Sequence, residues 1–553
     1  MRNEPHQPAG NQPASSDVPD AVHVPTRKEW LALAVLSTGL GLIVLDGTIV
    51  GVALPEIIRD LNLSLTDAQW VNSLYAVILA ALLLSTGKLV DRWGRKRMFL
   101  VGLTIFVAGS AYAATAGAAS PLIAARAVQA VGAAFIMPST LSTVNAVFRG
   151  KYRAAAFGVW GAVISGAAAI GPLAGGALTQ YASWHWIFLV NIPLGLIVAI
   201  LAARSVPETR GGKPARGADV DGAMLSAIGF GALVFAVIEG PDLGWWKPKA
   251  DLNALGLTWS KDSAISIVPV GLLVAAVALV LFIRWERHRA RVNRSAILDL
   301  GIFTFPTFNW GNATAAMVAV GEFAIIFVLP LFLINALGLS VMGAGLVLAG
   351  MAVGAFLSCA AARHIAARYG SPGTVLIGLG LEVVGVLALV LLIRSTTPAW
   401  LVAIPLIVYG LGLGLASAQL TGTVLRDVPV TASGQASATQ STVRQIGSAL
   451  GTAFAGAALS VALAINLPNA LEKAGFTGQA ATQLAEQTRQ SAGSTILQLR
   501  AQGAQSPLGG QTASAVDALV DGFATSTRWS LLVATLFLIF GFVVAARLRR
   551  AAE

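Results

Sequence analysis

Five charged residues stand inside long apolar stretches: Asp46, Arg126, Glu322, Glu382 and Arg444. A charge placed in hydrocarbon costs several kcal/mol, so such residues pair with one another and mark a transport path or a coupling site. An acid that can gain or lose an Arg partner takes up or gives up a proton as it does so. Proton-coupled switching is therefore the chemistry these residue types support. A permanent ion pair that fixes helix packing is the other reading of the same pattern. At 1.5 Å per helical residue, Asp46 lies roughly 14 Å from Pro55 and Arg126 roughly 8 Å from Pro121, so the two can share a layer. Glu322, Glu382 and Arg444 all fall near the middle of their segments. Arg444 can satisfy one glutamate, which leaves the other for proton exchange or for a cationic substrate. Ser437, Ser441, Arg444, Gln445, Ser448 and Thr452 recur at helical spacing and turn a polar face toward a cavity or a partner helix.

The elements that hold these residues are membrane spans. Of 553 residues, 56% are hydrophobic and 11% charged, against about a quarter charged in a soluble protein. Fourteen apolar segments can each cross a bilayer as a helix: 30–54, 68–86, 98–118, 122–146, 153–180, 184–203, 220–239, 264–283, 306–335, 341–362, 373–393, 399–422, 433–463 and 528–546. The run Gly87 to Arg97 holds four Arg or Lys within six residues, so it cannot enter hydrocarbon and fixes one face as cytoplasmic. Basic residues then recur after every second span: Arg149 and Lys151, Arg204 and Arg210, Arg284 to Arg294, Arg363 and Arg368, Arg426, and Arg547 to Arg550. The opposite loops are acidic or mixed. An even number of spans with both termini cytoplasmic follows.

That distribution accounts for the net charge of +11 without nucleic acid as a partner. Cys359 is the single cysteine, which excludes an internal disulfide and a cysteine metal cluster; no metal site is expected. Residues 1–25, rich in Pro, Asn and Gln, read as a disordered cytoplasmic tail. The segment 464–527 reads as a long extracytoplasmic loop with a short amphipathic helix near Leu484–Leu499 and a composition compatible with partial disorder. Trp30, Trp184, Trp186, Trp245, Trp246 and Trp400 suit interfacial anchoring, and His185 an interfacial polar position. Asp91-Arg92-Trp93-Gly94 is echoed by Ala367-Arg368-Tyr369-Gly370, which suggests two six-helix halves with spans seven and eight inserted between them. The expected units are a tail at 1–27, an N-terminal bundle at 28–206, an inserted helix pair at 207–295, a C-terminal bundle at 296–547 and a tail at 548–553.

Several motifs together resemble one family, the fourteen-span drug/proton antiporters of the major facilitator superfamily. Leu45-Asp46-Gly47-Thr48 with Val52 to Pro55 resembles its first-span signature, and Trp70 to Tyr75 its second-span opening. Gly87 to Arg97 resembles the superfamily loop. Arg126, Gln129, Gly132 and Ala133 fit the fourth span, with Ala130 where Gly is usual. Gly166, Gly171-Pro172 and Gly175-Gly176 fit the fifth-span antiporter motif. Trp184 to Phe188 before Asn191-Ile192-Pro193, with His185 where Arg is common, and Gly434 to Ser437 through Arg444 to Gly447 complete the resemblance.

The resemblance implies an all-α membrane protein with fourteen transmembrane helices, two six-helix bundles plus two inserted helices. It implies a proton-coupled exporter of amphipathic, lipophilic, cationic or neutral drugs that works by alternating access in the cytoplasmic membrane. Asp46, Arg126, Glu322 and Glu382 become candidates for proton coupling, and Glu322, Glu382, Arg444, Gln445, Ser441 and Gln129 for the substrate cavity. Gly87, Asp91, Arg92, Gly94 and Arg95 would form a cytoplasmic clasp, with Asp91 accepting from the start of a neighbouring helix. Gly166, Gly171, Pro172, Gly175 and Gly176 would form a hinge. The proton gradient would supply the energy without a cofactor, the partners would be small-molecule substrate, protons and lipid, and the protein would act as a monomer. Export of an endogenous metabolite, siderophore or lipid is the alternative, and a non-transporting membrane sensor a remote one; no enzyme signature competes.

Overall fold

The computed structural model describes residues 24–552 except 149, 211–218, 255, 256, 293, 295, 430 and 431. The sequence-predicted tail therefore lies, for 1–23, outside the described residues. The N-terminal helices are α1 (Arg27–Leu61), α2 (Leu65–Trp93), α3 (Arg95–Ala113), α4 (Ala119–Val147), α5 (Gly150–Tyr181), α6 (Trp186–Leu189) and α7 (Asn191–Ser205). α8 (Val220–Leu243) and α9 (Ile267–Arg291), the helices expected as an inserted pair, are joined by a segment with a small antiparallel hairpin pairing Leu252–Ala254 with Leu257–Trp259. The C-terminal helices are α10 (Pro306–Leu331), α11 (Val341–Leu392), α12 (Ala399–Val424), α13 (Ser433–Lys473), α14 (Gln479–Gln490), α15 (Ser494–Gln502) and α16 (Thr512–Ala552).

Local chemistry sets several of these boundaries. Thr26 with Glu29 and Ser64 with Asp67 form reciprocal capping boxes that open α1 and α2. Gly94 separates α2 from α3 at φ 110°, and Gly370 breaks α11 at φ 73°, a backbone region that disfavours any residue with a Cβ. The repeated glycine of the sequence echo thus does the same job twice. Among the described residues, eleven helices are long and apolar enough to cross a membrane, and α11 carries two such segments on either side of Gly370.

Two ends of the molecule can be distinguished: a basic end, with the Gly87–Arg97 loop and the end of α16, and a capped end, with α14 and α15. The segment 464–527 departs from the sequence expectation. It is largely helical: α13 and α16, at 41 residues each, run on into it, and the expected single helix is two, parted at Ala492 and Gly493, both at positive φ. Order comes from anchoring. Ala492 and Ile496 are buried, Asn335 Nδ2 donates to Ala492 O (2.9 Å), and Arg489 Nη1 donates to Asp242 Oδ1 (2.8 Å) and Ser460 Oγ (2.7 Å).

The two halves meet toward the capped end. Gln69 Nε2 of α2 donates to Ala453 O of α13 (3.1 Å), Ser73 Oγ to Ala449 O (3.4 Å), and Met342 N of α11 to Gln180 Oε1 (2.9 Å). Gly51 of α1 packs against Ile326 of α10. The inserted pair straddles this seam: α8 packs against α2 and α13, and Trp70 Nε1 donates to Glu239 Oε1 (2.8 Å).

Candidate functional site

Five helices of the N-terminal half converge on one carboxylate. Asp46 of α1 is 0% exposed and Arg126 of α4 1%, and Arg126 Nη1 donates to Asp46 Oδ2. Asp46 Oδ1 accepts from Gln129 Nε2 (3.0 Å) and from Asn191 Nδ2 of α7 (2.9 Å). Gln129 Nε2 also reaches Ser110 Oγ of α3 (2.8 Å), and Gln129 Oε1 accepts from Arg126 Nη1 (2.8 Å). The Arg126 guanidinium lies 4.2 Å from the centre of the Tyr75 ring of α2. Close approach of α3 and α4, where a Cβ on Gly109 would stand 2.7 Å from Gln129 N, brings Ser110 within reach. A buried pair of opposite charges is retained only where further hydrogen bonds satisfy it, and this one is so satisfied.

Gln129 therefore differs from its sequence expectation. It is wholly buried in the ion-pair network and lines no cavity in this conformation. Ser110, Tyr75 and Asn191 were missed as site residues; the signal available was a polar side chain inside an otherwise apolar run.

The C-terminal half holds a different arrangement. Arg444 Nη2 stands 3.1 Å from Glu322 Oε2, with side-chain exposures of 48% and 9%. α13 turns Gly447 and Gly451 to α10, Ala449 and Ala453 to α2, and Leu450 to α8. The side left over, between the faces turned to α10 and α2, bears the exposed Arg444 and the part-exposed Ser441 and Gln445. Ile326 and Ala449, in the layer where the halves touch, lie about one turn nearer the capped end than Glu322 and Arg444. Glu382 lies behind this pair, near enough to feel the charges of Glu322 and Arg444. It is 0% exposed against α12, where a Cβ on Gly412 would lie 2.9 Å from its Cγ, and among the described residues neither Glu382 oxygen nor the Tyr409 hydroxyl has a hydrogen-bond partner. In this conformation Glu382 is thus no cavity residue.

The loop and hinge motifs also take definite places. Asp91 Oδ1 accepts from Arg95 Nε (2.9 Å), so its partner is within its own loop. The start of α3 is capped instead by Glu208, which accepts from Lys96 N (3.2 Å) and Arg97 N (3.3 Å). Arg92 is exposed, and Gly87 has only Pro138 within 4 Å of a notional Cβ. In α5, Gly171 and Gly175 let α1 approach at Thr48 and Ile49, while Pro172 and Gly176 meet Gly345 and Met342 of α11. Gly166 faces open space. The motif is thus two-sided, one face for its own half and one for the other. Trp184 is 2% exposed and donates to Asp60 Oδ2 (2.7 Å), so it pins the end of α1 and is no interfacial anchor; Trp186, Trp246 and Trp400 are exposed.

Comparison with known proteins agrees with this architecture. The Major Facilitator Superfamily profile matches residues 36–452. The multidrug efflux pump LfrA of Mycolicibacterium smegmatis is 33% identical over 441 residues, covering 79% of this chain and 82% of LfrA. The methylenomycin A resistance protein of Bacillus subtilis is 31% identical over 425 residues, covering 77% and 86%. A crystal structure of a bacterial homologue of the human lysosomal transporter Spinster, inward-facing and unoccupied, superposes with a TM-score of 0.60 at 17% identity over 96% of this chain and 99% of that one, a likeness of fold alone. Helices fit to span a bilayer, two packed halves and a profile match over most of the length make this chain a multi-pass membrane transporter of the major facilitator superfamily.

Proposed function

We propose that this protein is a proton-driven exporter of amphipathic, lipophilic drugs or antibiotics, acting as a monomer with fourteen spans in the cytoplasmic membrane. The basic end faces the cytoplasm, as the excess of Arg and Lys there favours. The observation that carries the reading is the Asp46–Arg126 network. A carboxylate held by one guanidinium and two amides, from two helices besides its own, is satisfied in this packing and loses partners in any packing that shifts those helices. A proton arriving from outside would take Arg126's place on Asp46 in the opposite state. Glu322 and the exposed Arg444 form the substrate-facing pair, and Glu382 is the second coupling candidate. Kinship with proteins named for multidrug efflux and antibiotic resistance supports the substrate class.

Coupling requires that proton and substrate favour opposite states. In proteoliposomes, adding substrate across a panel of cationic, neutral and anionic lipophilic compounds should drive proton flux, and collapsing the proton gradient should abolish substrate movement. If no compound moves protons, the export reading fails. An Asp46→Asn variant that still couples at the wild-type rate would remove Asp46 from the mechanism.

A further inference from the structure

Of the five charges inside the apolar segments, only Arg444 is exposed; Asp46, Arg126, Glu322 and Glu382 are buried. Arg444 stands roughly 16 Å along α13 from its basic end, directly beneath the layer where the halves touch. It covers Glu322, whose side chain keeps 9% exposure against 48% for Arg444. A molecule entering between the halves from the basic end thus meets a guanidinium before it meets a carboxylate. One Glu322 oxygen occupies one nitrogen of that guanidinium, which has five N–H donors in a planar fork, so donors remain for a second planar anion. Gln445 and Ser441, on the same face and part-exposed, add neutral polar groups beside it.

We propose that Arg444 is the specificity residue for an acidic group on the substrate, so that the site takes amphiphiles carrying a carboxylate or similar anion on a lipophilic body. This deepens the export reading and rests on it for the direction of loading. Glu322 holds Arg444 in place; it does not receive a cation, because Arg444 already fills that role. A lipophilic monocation would have to displace Arg444 and leave its charge unpaired, a double penalty that a carboxylate avoids.

The test uses three fluorescent probes with one lipophilic body: pyrenebutyrate, pyrenebutyramide and pyrenebutylamine. With the full-length protein in lipid nanodiscs, and empty nanodiscs subtracted for partition, pyrenebutyrate should bind at least about tenfold more tightly than pyrenebutylamine. Arg444→Gln should weaken pyrenebutyrate about tenfold more than pyrenebutyramide, whereas Glu322→Gln should leave pyrenebutyrate binding equal or tighter. If Arg444→Gln fails to fold because Glu322 is stranded, the Glu322→Gln/Arg444→Gln double variant replaces it with the same expected loss of anion preference. Wild-type preference for pyrenebutylamine, equal weakening of all three probes, or anion preference that survives loss of Arg444 each overturns the proposal. Proton-driven efflux without anion preference would sink this inference and spare the export reading; anion binding through Arg444 without proton-driven efflux would do the reverse.

Discussion

Arg126 and Asp46 lie 80 residues apart in sequence and bond directly in a pocket that water does not reach, with Gln129 donating to one and accepting from the other. Removing either charge leaves the other buried without its counter-ion. Asp46→Asn and Arg126→Gln should each cost about 3–5 kcal/mol of stability, and the double variant should cost clearly less than their sum. Thermal unfolding in detergent of the four proteins closes the cycle. A coupling energy near zero would show that the bond contributes nothing in this state.

Gly345 belongs to the seam between the halves, where a Cβ would stand 2.6 Å from Pro172 O. Gly345→Val should therefore force α5 and α11 apart at the capped end, at a cost of about 1–3 kcal/mol to this packing. Spin labels at exposed positions near Gln180 and Met342 should report a longer distance in the variant. Unchanged distances with wild-type transport would mean that the seam tolerates bulk.

Glu208 caps α3 from the connection that follows α7, and a carboxylate there also suits the helix dipole. Glu208→Gln should lower stability by about 1 kcal/mol and impair transport in the manner of Asp91→Asn, since both anchor the same loop. Transport assays of the two variants at matched expression decide it; full activity for Glu208→Gln alongside loss for Asp91→Asn would separate their roles.

At the capped end, the hydrogen bonds from Arg489 hold the Glu486 carboxyl below its ordinary value, and desolvation opposes them without prevailing. A depressed carboxylate contributes stability above its unfolded value, near 4.5, and that contribution is lost as pH falls through the lower folded value. Wild type should thus melt higher than Glu486→Gln at neutral pH, and the gap should close as the pH is taken below about 4. A gap that persists or widens on acidification would contradict the assignment.

Much of this organisation is legible in the sequence because hydrophobic length is a local property. The expected apolar segments fall for most of their length on helices, eleven of which are long and apolar enough to cross a membrane among the described residues, and Gly94 and Gly370 mark the breaks beside the basic loops. Asp46 and Arg126 could be placed at similar depth because rise per residue is fixed. Long-range choices were less accessible. Nothing local distinguishes Trp184, buried against Asp60, from the exposed Trp186 two residues later. Asp91 resembled a helix cap by its position, yet the cap comes from Glu208, over a hundred residues away. The polar stretch 464–527 looked poor in core-forming residues, but a few anchors, Arg489 on Asp242 and Asn335 on Ala492, suffice to order it once α13 and α16 supply the frame.

Those two helices have one more consequence. At 41 residues each they measure roughly 60 Å, about twice the hydrocarbon thickness, so they stand well proud of the bilayer as stiff rods. A rod pivoting in the membrane amplifies rotation at its tip: over some 25 Å of overhang, a tilt of about 10° sweeps the far end by roughly 4 Å. The tip at the capped end is therefore a lever arm, and a dye placed on it would make an optical gauge of each turnover.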